Sequence, residues 1–414
     1  MISKEVLDLK DYVVETRRYL HKNPEVSLKE YKTSAFIKGE LDKIGIEYVN
    51  VGETGILATI KGKHEGPTVF LRADMDALPL QDKIEKDYRS INEGVSHGCG
   101  HDAHVAGLLA TANIIAKRKD EIKGTVKLCF QAAEEIGRGA KEFVKAGHLK
   151  DVDYAFGIHV ASSLPVGKVA IVPGAINASC DIFKIHVKGE SAHGSRPDLG
   201  KDALLAAASI AVELQNIVSR RVSPLDSVVL TLGKLNAGTA YNIIANDGYI
   251  EGTLRTLDQN IREKILKKIE LISKNIAEVH DCEAEFENYN AASILQNDEE
   301  LTEDVQSIAK KILGTENVIT AGKPSLGAED FSEFTNLVKG TFINVGTSSC
   351  DATSYPHHHE NFDLDEEGIL YGVELFKNIL EKYSLKENKI DLEKFGTNKK
   401  SKNKNKNKSL AGIW

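Results

Sequence analysis

Residues 96–104 read SHGCGHDAH and hold the densest group of metal-binding side chains in the 414-residue chain. Cys99 and His101 are two positions apart, so their thiolate and imidazole could bind one ion or bridge two. Both are ligand types that zinc and similar divalent ions favour. The two glycines allow a tight turn, and a glycine-rich turn with polar caps is the alternative interpretation. The segment therefore predicts a divalent metal site just before a helix.

Carboxylates follow two of the predicted strands. Asp74 and Asp76 come directly after the apolar run TVFLR, and Glu134 and Glu135 come soon after a strand that ends at residue 130. Sites in open α/β sheets lie at the carboxyl ends of the strands. On extended backbone, one of two adjacent glutamates could bind a metal while the other faces a water molecule as a general base. A polar loop and a solvated Glu-Glu pair are the alternatives.

Two further segments contribute histidines. His159 lies at the end of the strand predicted for residues 154–160, and residues 355–360 read YPHHHE. Either could be a structural or fortuitous histidine on its own. Taken together, however, four strand ends or loops carry Asp, Cys with His, Glu-Glu and His, and a distant fifth segment adds His. Independent surface positions would not all fall at equivalent ends of one sheet, so the set predicts a metal site in an α/β domain.

The elements that must position these residues alternate between strand and helix. Strands are predicted at residues 55–60, 68–72, 125–130 and 154–160, and helices at 105–117 and 140–146. This alternation predicts a mostly parallel sheet flanked by helices. Between residues 182 and 287 the order becomes β-α-β-β-α-β, the ferredoxin-like pattern of an α+β domain. We therefore predict a discontinuous α/β domain of residues 1–176 and 291–390, with an inserted domain of residues 177–290.

Composition excludes several classes of protein. The 53 basic and 61 acidic residues give a net charge of −8, which argues against a nucleic-acid-binding body. The first 20 residues are charged throughout, so no secretory signal is expected. No uncharged run reaches the roughly 18 residues that a membrane span needs. Five widely spaced cysteines without a CxxC pair indicate free thiols in a reducing cytoplasm.

The C-terminal segment, residues 391–414, differs from the rest of the chain. Residues 398–409 read NKKSKNKNKNKS, with six lysines and no acid, so the segment is predicted to be a disordered tail. Binding to nucleic acid or to an anionic surface is the alternative. Without those six lysines the body has 47 basic against 61 acidic residues, a net charge of −14.

Seven motifs occur in order within residues 13–383. They are RADMDALP (72–79), HGCGHDAH (97–104), QAAEE (131–135), GIH (157–159), AHGSRPDLGKDA (192–203), GAEDFS (327–332) and HHHENFDLDE (357–366). Together they resemble the M20 metallopeptidase family. More closely, they resemble its amidohydrolase branch, which includes hippurate hydrolases, auxin-conjugate hydrolases and N-acyl-amino-acid deacetylases.

The resemblance implies a centre of two divalent metal ions, manganese or zinc, with cobalt and nickel as alternatives. The implied ligands are Cys99, His101, Glu135, His159 and His358. Three consecutive histidines leave the last position open, so His357 is the alternative to His358. Glu360 stands where the family pattern usually has proline.

The resemblance also implies roles for residues that do not bind metal. Glu134 would act as the general base, and Asp76 would orient a ligating histidine. The inserted domain would form a lid and a homodimer contact. Its His193 would help to stabilise the reacting carbonyl group, while Asn242 and Arg255 would bind the substrate carboxylate.

The expected reaction is cleavage of the amide bond of an N-acyl amino acid (N-acetyl, N-benzoyl or similar) to a carboxylic acid and a free amino acid. A metal-activated water would attack, with Glu134 as base. A dipeptidase or carboxypeptidase of the same superfamily is the alternative, with a peptide as substrate. A non-catalytic metal-binding protein would need neither Glu134 nor His193. The enzyme is expected in the cytoplasm, without a membrane or nucleic-acid partner.

Overall fold

The computed structural model describes residues 1–385, so the tail predicted for residues 391–414 lies outside the described residues. The helices are α1 (Lys4–Leu7), α2 (Lys10–Lys22), α3 (Tyr31–Lys43), α4 (His101–Lys117), α5 (Gly139–Lys145), α6 (Ala203–Arg221), α7 (Gln259–Val279), α8 (Glu299–Leu313), α9 (Ser332–Thr335) and α10 (Glu367–Tyr383). The strands are β1 (Glu47–Val51), β2 (Gly55–Lys61), β3 (His64–Asp74), β4 (Lys123–Gln131), β5 (Tyr154–Pro165), β6 (Val169–Ala170), β7 (Gly174–Asn177), β8 (Cys180–Lys188), β9 (Val228–Ala237), β10 (Asp247–Thr256), β11 (Glu283–Ala292), β12 (Leu295–Asn297), β13 (Val318–Ile319) and β14 (Lys339–Ser348).

The large sheet has eight strands in the order β1-β2-β4-β3-β5-β14-β6-β13. Its central strands β4, β3, β5 and β14 are parallel, while β1, β2 and β6 pair antiparallel with their inner neighbours. The prediction of a mostly parallel sheet flanked by helices is confirmed. The antiparallel edge strands were not anticipated, and β1 was missed because most of its residues are exposed.

The centre of this sheet is buried on both faces. On β3, Val69 and Leu71 belong to the core that also includes residues of α4 and α10, whereas Phe70 packs with residues of α5 and α9. A run with apolar residues on both faces is typical of a central parallel strand. Helix α4 is buried along almost its whole length, which explains its Ala-rich and Leu-rich sequence. The start of α4 is thereby held firmly against the sheet.

A separate four-stranded antiparallel sheet has the order β11-β8-β10-β9. Its chain order is β8-α6-β9-β10-α7-β11, which confirms the ferredoxin-like pattern. On β8, the alternating residues Phe183, Ile185 and Val187 are buried in one core with α6 and α7. Both helices therefore cover one face of this sheet.

Within residues 1–385 no helix is both long and apolar enough to cross a membrane. All five cysteines are free thiols, four of them buried and Cys350 exposed.

Candidate metal centre

The candidate metal centre forms where segments from β3, β4, β5 and the start of α4 meet. Gly100 precedes α4 with φ of +87°, and a Cβ atom there would lie 2.4 Å from Val160 Cγ2. Only glycine adopts this conformation without strain and fits this space. The turn brings Cys99 and His101 to the same centre, as their spacing predicted.

Two of the overlapping sets of three ligand atoms found here consist entirely of predicted ligands. The ligand atoms of Cys99, His101 and His159 lie within 4.8 Å of one another, and so do those of Cys99, Glu135 and His358. Cys99 Sγ is 3.5 Å from His159 Nε2, and His358 Nε2 is 3.4 Å from Glu135 Oε2. The structure thus brings together all five side chains predicted as ligands, and Cys99 belongs to both sets.

Hydrogen bonds orient two of the histidines toward the centre. His101 Nδ1 donates to the carbonyl of Asp76 at 2.9 Å, and His159 Nδ1 donates to the carbonyl of Val160 at 2.7 Å. In the neutral form of each ring, Nε2 therefore keeps its lone pair. His101 Nε2 and Glu135 Oε1 are buried, 3.8 Å apart, and neither has a hydrogen-bond partner among the described residues. A divalent cation would satisfy both atoms, so the donor set fits a metal ion.

The charge balance of the centre points the same way. Burial raises the pKa of the Cys99 thiol, and nearby Glu135 and Glu134 raise it further against the opposing effect of His101. Two carboxylates beside a buried thiol are electrostatically unfavourable without a compensating cation. A bound metal ion would supply that charge and would favour the thiolate.

His104 lies in the same cluster, but its nitrogens are already used. Its Nδ1 is 2.5 Å from Asp74 Oδ1, and its Nε2 accepts a hydrogen bond from the Val160 amide at 2.9 Å. Asp74 also pairs with Arg72 Nη1 at 2.5 Å. These three side chains support the site rather than offering it free ligand atoms.

The geometry separates His358 from the alternative His357. The His358 amide donates to the carbonyl of Gly98 at 2.8 Å, and φ of +64° turns its ring toward Glu135. The ring of His357 instead lies beside those of His159 and Phe362, with centroids 4.9 and 5.3 Å away. His358 is therefore the better placed of the two to bind an ion.

Glu134 and Glu135 lie in a turn, so the expectation of extended backbone at this pair is wrong. Ala133 has φ of +52°, and the Gly137 amide closes the turn on the carbonyl of Glu134 at 2.8 Å. The amide of Glu135 donates to Asp76 Oδ2 at 3.1 Å, which ties the two carboxylate segments together. The turn still directs both glutamates into the centre.

The strand expectation at His159 also needs correction. Strand β5 does not end there but continues to Pro165, because β14 pairs with it in parallel from Lys339 to Ser348. Its other neighbour, β3, pairs with it only as far as Gly157. His159 therefore lies just beyond the last residue that β3 covers.

A buried ionic cluster that the sequence did not assign lies behind Glu134. Arg72 contacts Glu329 at 2.8 Å and Asp330 at 3.0 Å, and its Nε donates to Gln131 at 2.9 Å. Burial and then Glu329 and Asp330 raise the pKa of Glu134. Burial also raises the pKa of Asp330, to about 7. The RADMDALP and GAEDFS motifs contain these residues and were the available signal.

A cavity of about 820 Å³ opens from the candidate centre toward the inserted domain. Glu134 and His159 lie at its inner end, and Thr253 and Arg255 of β10 line the opposite side. Arg255 Nη1 donates to the carbonyl of Leu326 at 3.0 Å. Arg255, predicted to bind a carboxylate, therefore faces the same cavity as the candidate base.

His193 and Asn242 are not among the residues that line this cavity. Both are exposed on the inserted domain, where the Gly194 amide donates to the carbonyl of Asn242 at 2.8 Å. The His193 Nδ1 atom accepts a hydrogen bond from the Ser195 amide at 3.1 Å. The structure brings these two predicted residues near each other but not to the metal centre.

Comparison with known proteins identifies the family. Residues 70–382 match the family model described as peptidase family M20/M25/M40. The chain belongs to this family. The M20 resemblance inferred from the seven motifs is confirmed, and the protein is a metal-dependent hydrolase that acts on amides.

Three similar proteins illustrate the range of this M20 enzyme's relatives. Thermostable carboxypeptidase 2 of Saccharolobus solfataricus is 38% identical over 90% of this chain and 95% of its own. The N-acetyl-L-cysteine deacetylase of Bacillus subtilis is 36% identical over 87% of this chain and 86% of its own. A crystal structure of the Bacillus subtilis YXEP protein is described as that of a dinuclear metal binding peptidase from the M20 family. It matches with a TM-score of 0.77 and 32% identity, over 91% of this chain and 99% of its own.

Proposed function

We propose that this M20 enzyme hydrolyses the amide bond of N-acyl amino acids, releasing a carboxylic acid and a free amino acid. The observation that carries the proposal is the position of Glu134. This half-buried carboxyl group lies beside two candidate ligand sets and faces the cavity that Arg255 also lines. The cavity is large enough for a small-molecule substrate.

We further propose a centre of two divalent ions, manganese or zinc. Cys99, His101 and His159 would hold one ion, and Cys99, Glu135 and His358 the other. Bound divalent ions supply Lewis-acid polarisation of the scissile carbonyl group and acidify water. The Bacillus subtilis relative described as dinuclear supports this stoichiometry.

Glu134 would transfer protons in this reaction. It would take the proton from the attacking water and deliver it to the leaving nitrogen. Its pKa is raised by burial and by the carboxylates of Glu329 and Asp330, which suits a group that must both accept and release a proton near neutral pH. Arg72 would hold those two carboxylates in place through its contacts at 2.8 and 3.0 Å.

Asp76 would orient the ligands rather than bind an ion. Its carbonyl accepts from His101, and its Oδ2 accepts from both the Ser27 hydroxyl at 2.6 Å and the Glu135 amide. One residue therefore fixes segments that carry a ligand of each set. Such supporting hydrogen bonds tune metal affinity in many sites.

The inserted domain would act as a lid and bind the substrate carboxylate. Arg255 already faces the cavity, whereas His193 and Asn242 would reach the substrate only after the lid moves or a second copy of the chain contributes them. We also propose a homodimer through this domain. Within residues 1–385 its edge strand β9 has a side without a pairing strand, and Leu204 and Leu205 on α6 are about half exposed.

The family also contains peptidases, and the carboxypeptidase relative favours a second candidate, cleavage of peptides. A panel that keeps the amino acid constant and varies the acyl group separates the two. The purified enzyme, reloaded with Zn²⁺ or Mn²⁺, should cleave N-acetyl or N-benzoyl derivatives with a higher kcat/KM than the matching dipeptides. Faster cleavage of the dipeptides would instead support the peptidase.

The free thiols support the proposed cytoplasmic location.

A further inference from the structure

Arg17 on α2 is a fully buried cation, far in sequence from every proposed metal ligand. Its guanidinium contacts three carboxylates. Nε lies 2.9 Å from Asp102 Oδ2, Nη2 lies 2.7 Å from Asp363 Oδ1, and Nη1 lies 3.4 Å from Glu366 Oε1. Its Cζ atom is also 4.9 Å from the centroid of the Tyr88 ring. A buried guanidinium with this many partners fixes their relative positions, because its donors form a rigid planar fork.

The carboxylates that Arg17 joins belong to the two segments that carry proposed ligands of different ions. Asp102 directly follows His101 in the first turn of α4. Asp363 lies five residues after His358 in the C-terminal segment. Arg17 therefore links the segment of His101 to the segment of His358, although it contacts neither ligand. Both segments lie outside the strands of the large sheet, and one backbone hydrogen bond, from the His358 amide to the carbonyl of Gly98 at 2.8 Å, also joins them.

Neighbouring side chains hold both carboxylates from a second side. The Tyr88 hydroxyl donates to Asp363 Oδ2 at 2.8 Å. His21 Nδ1 donates to Asp102 Oδ2 at 2.7 Å, since a carboxylate can only accept. Arg17 is the member of this group that contacts both carboxylates, so together with the bond from the His358 amide to the carbonyl of Gly98 it fixes the distance between the two segments.

We propose that Arg17 is a positioning residue for the metal centre that helps to set the separation of His101 and His358. This inference rests on the two-ion centre proposed above. The two ligands do not depend on Arg17 equally. His101 is also fixed by Asp76 and by the buried helix α4, whereas the His358 side chain is 55% exposed in a loop. Loss of the Arg17 contacts therefore loosens the His358 segment first, and the ion that it holds is lost first.

The test is a Zn²⁺ titration of the metal-free, full-length protein by calorimetry, which needs no substrate. Arg17→Lys keeps the positive charge but lacks the planar guanidinium group that contacts Asp102 and Asp363 at the same time. The matched control is Arg18→Lys, because the neighbouring Arg18 pairs with Glu366 at the surface and contacts neither buried aspartate. Wild type and control should bind two equivalents. Arg17→Lys should bind the second equivalent about 10–100-fold more weakly and the first within a few-fold of wild type.

Three results would overturn the inference or its basis. Wild-type affinity for both equivalents in folded Arg17→Lys protein would show that Arg17 does not position the centre. Equal weakening of both equivalents would show a general loss of structure instead. A wild-type protein that binds a single equivalent would contradict the two-ion centre itself and not the role of Arg17. If Arg17→Lys does not fold, Asp363→Asn removes the charge that pairs with Arg17 at 2.7 Å, and unchanged binding of the second equivalent in that variant would equally overturn the inference.

Discussion

His101 donates from Nδ1 to the backbone carbonyl of Asp76 at 2.9 Å, and this bond decides which of its ring nitrogens faces the centre. Because Nδ1 donates this bond, the neutral ring has its lone pair on Nε2, which lies 3.8 Å from Glu135 Oε1. Asp76 follows β3 and Glu135 follows β4, so the segments after two neighbouring parallel strands meet at one imidazole ring. Predictions about the metal centre follow from this arrangement.

Glu134→Gln should lower kcat by about 10²–10⁴-fold, the usual contribution of a general base. Its content of metal should stay at the wild-type value, because Glu134 belongs to neither proposed ligand set. Steady-state rates on an N-acetyl amino acid and elemental analysis of the same sample check both statements. A variant with both ions and near-wild-type turnover would contradict the role of Glu134 as base.

Cys99→Ser should weaken the retention of both ions, because Cys99 Sγ belongs to both ligand sets. After dialysis against a mild chelator, the variant should hold fewer ions per chain than the wild type. Cys350→Ser is the matched control, since Cys350 is exposed and belongs to neither ligand set. Full occupancy in Cys99→Ser protein would exclude Cys99 as a shared ligand.

Arg255→Met should raise KM by roughly 10–100-fold for substrates with a free α-carboxylate, because a charge-assisted hydrogen bond contributes about 1.5–3 kcal/mol. The carboxamide analogue of the same substrate lacks that charge, so its KM should change little. The comparison separates carboxylate binding from damage to the cavity wall. An equal rise in KM for both substrates would argue that Arg255 serves only to hold the carbonyl of Leu326.

His21 should make stability depend on pH. Burial and the charge of Arg17 lower the pKa of His21, but its contacts with Asp102 at 2.7 Å and Asp82 at 3.3 Å outweigh them and raise it. The folded protein then keeps a proton that the unfolded chain releases above about pH 6.5. The stabilisation from His21 is complete below that pH. It should be lost as the pH rises through the pKa of the folded state.

His21→Gln should lack this contribution. Urea unfolding of the metal-free protein between about pH 6.5 and 9 measures the free energy of unfolding of both forms. The difference between wild type and variant should shrink as the pH rises. A difference that stays constant across this range would contradict a proton held by His21.

Much of the architecture could be predicted because local patterns determine it. The alternation of Phe183, Ile185 and Val187 indicates one buried face, and the β-α-β-β-α-β order then leads to the ferredoxin-like sheet. The proposed ligands are implied by the motifs and stay a prediction, and the segments that follow the parallel strands bring these side chains together.

The features that were missed depend on contacts between distant segments. The positive φ of Ala133 turns Glu134 and Glu135 into the centre. It could not be predicted, because alanine rarely adopts this conformation and nothing in the local sequence indicates it. The extension of β5 beyond His159 requires β14 as a partner. From the sequence, Arg17 is one of several charged residues on an N-terminal helix, and only the structure shows its contact with Asp102.

The ion pair between Arg17 and Asp363 joins residues 346 positions apart. A chain is synthesised from its N-terminus, so α2 leaves the ribosome long before its C-terminal partner exists. Until then Arg17 has only part of its compensating charge and cannot be buried at low cost. The two segments that carry His101 and His358 consequently reach their final separation only after the segment that contains Asp363 has been made. Binding of the ion that His358 would hold then has to wait for that segment.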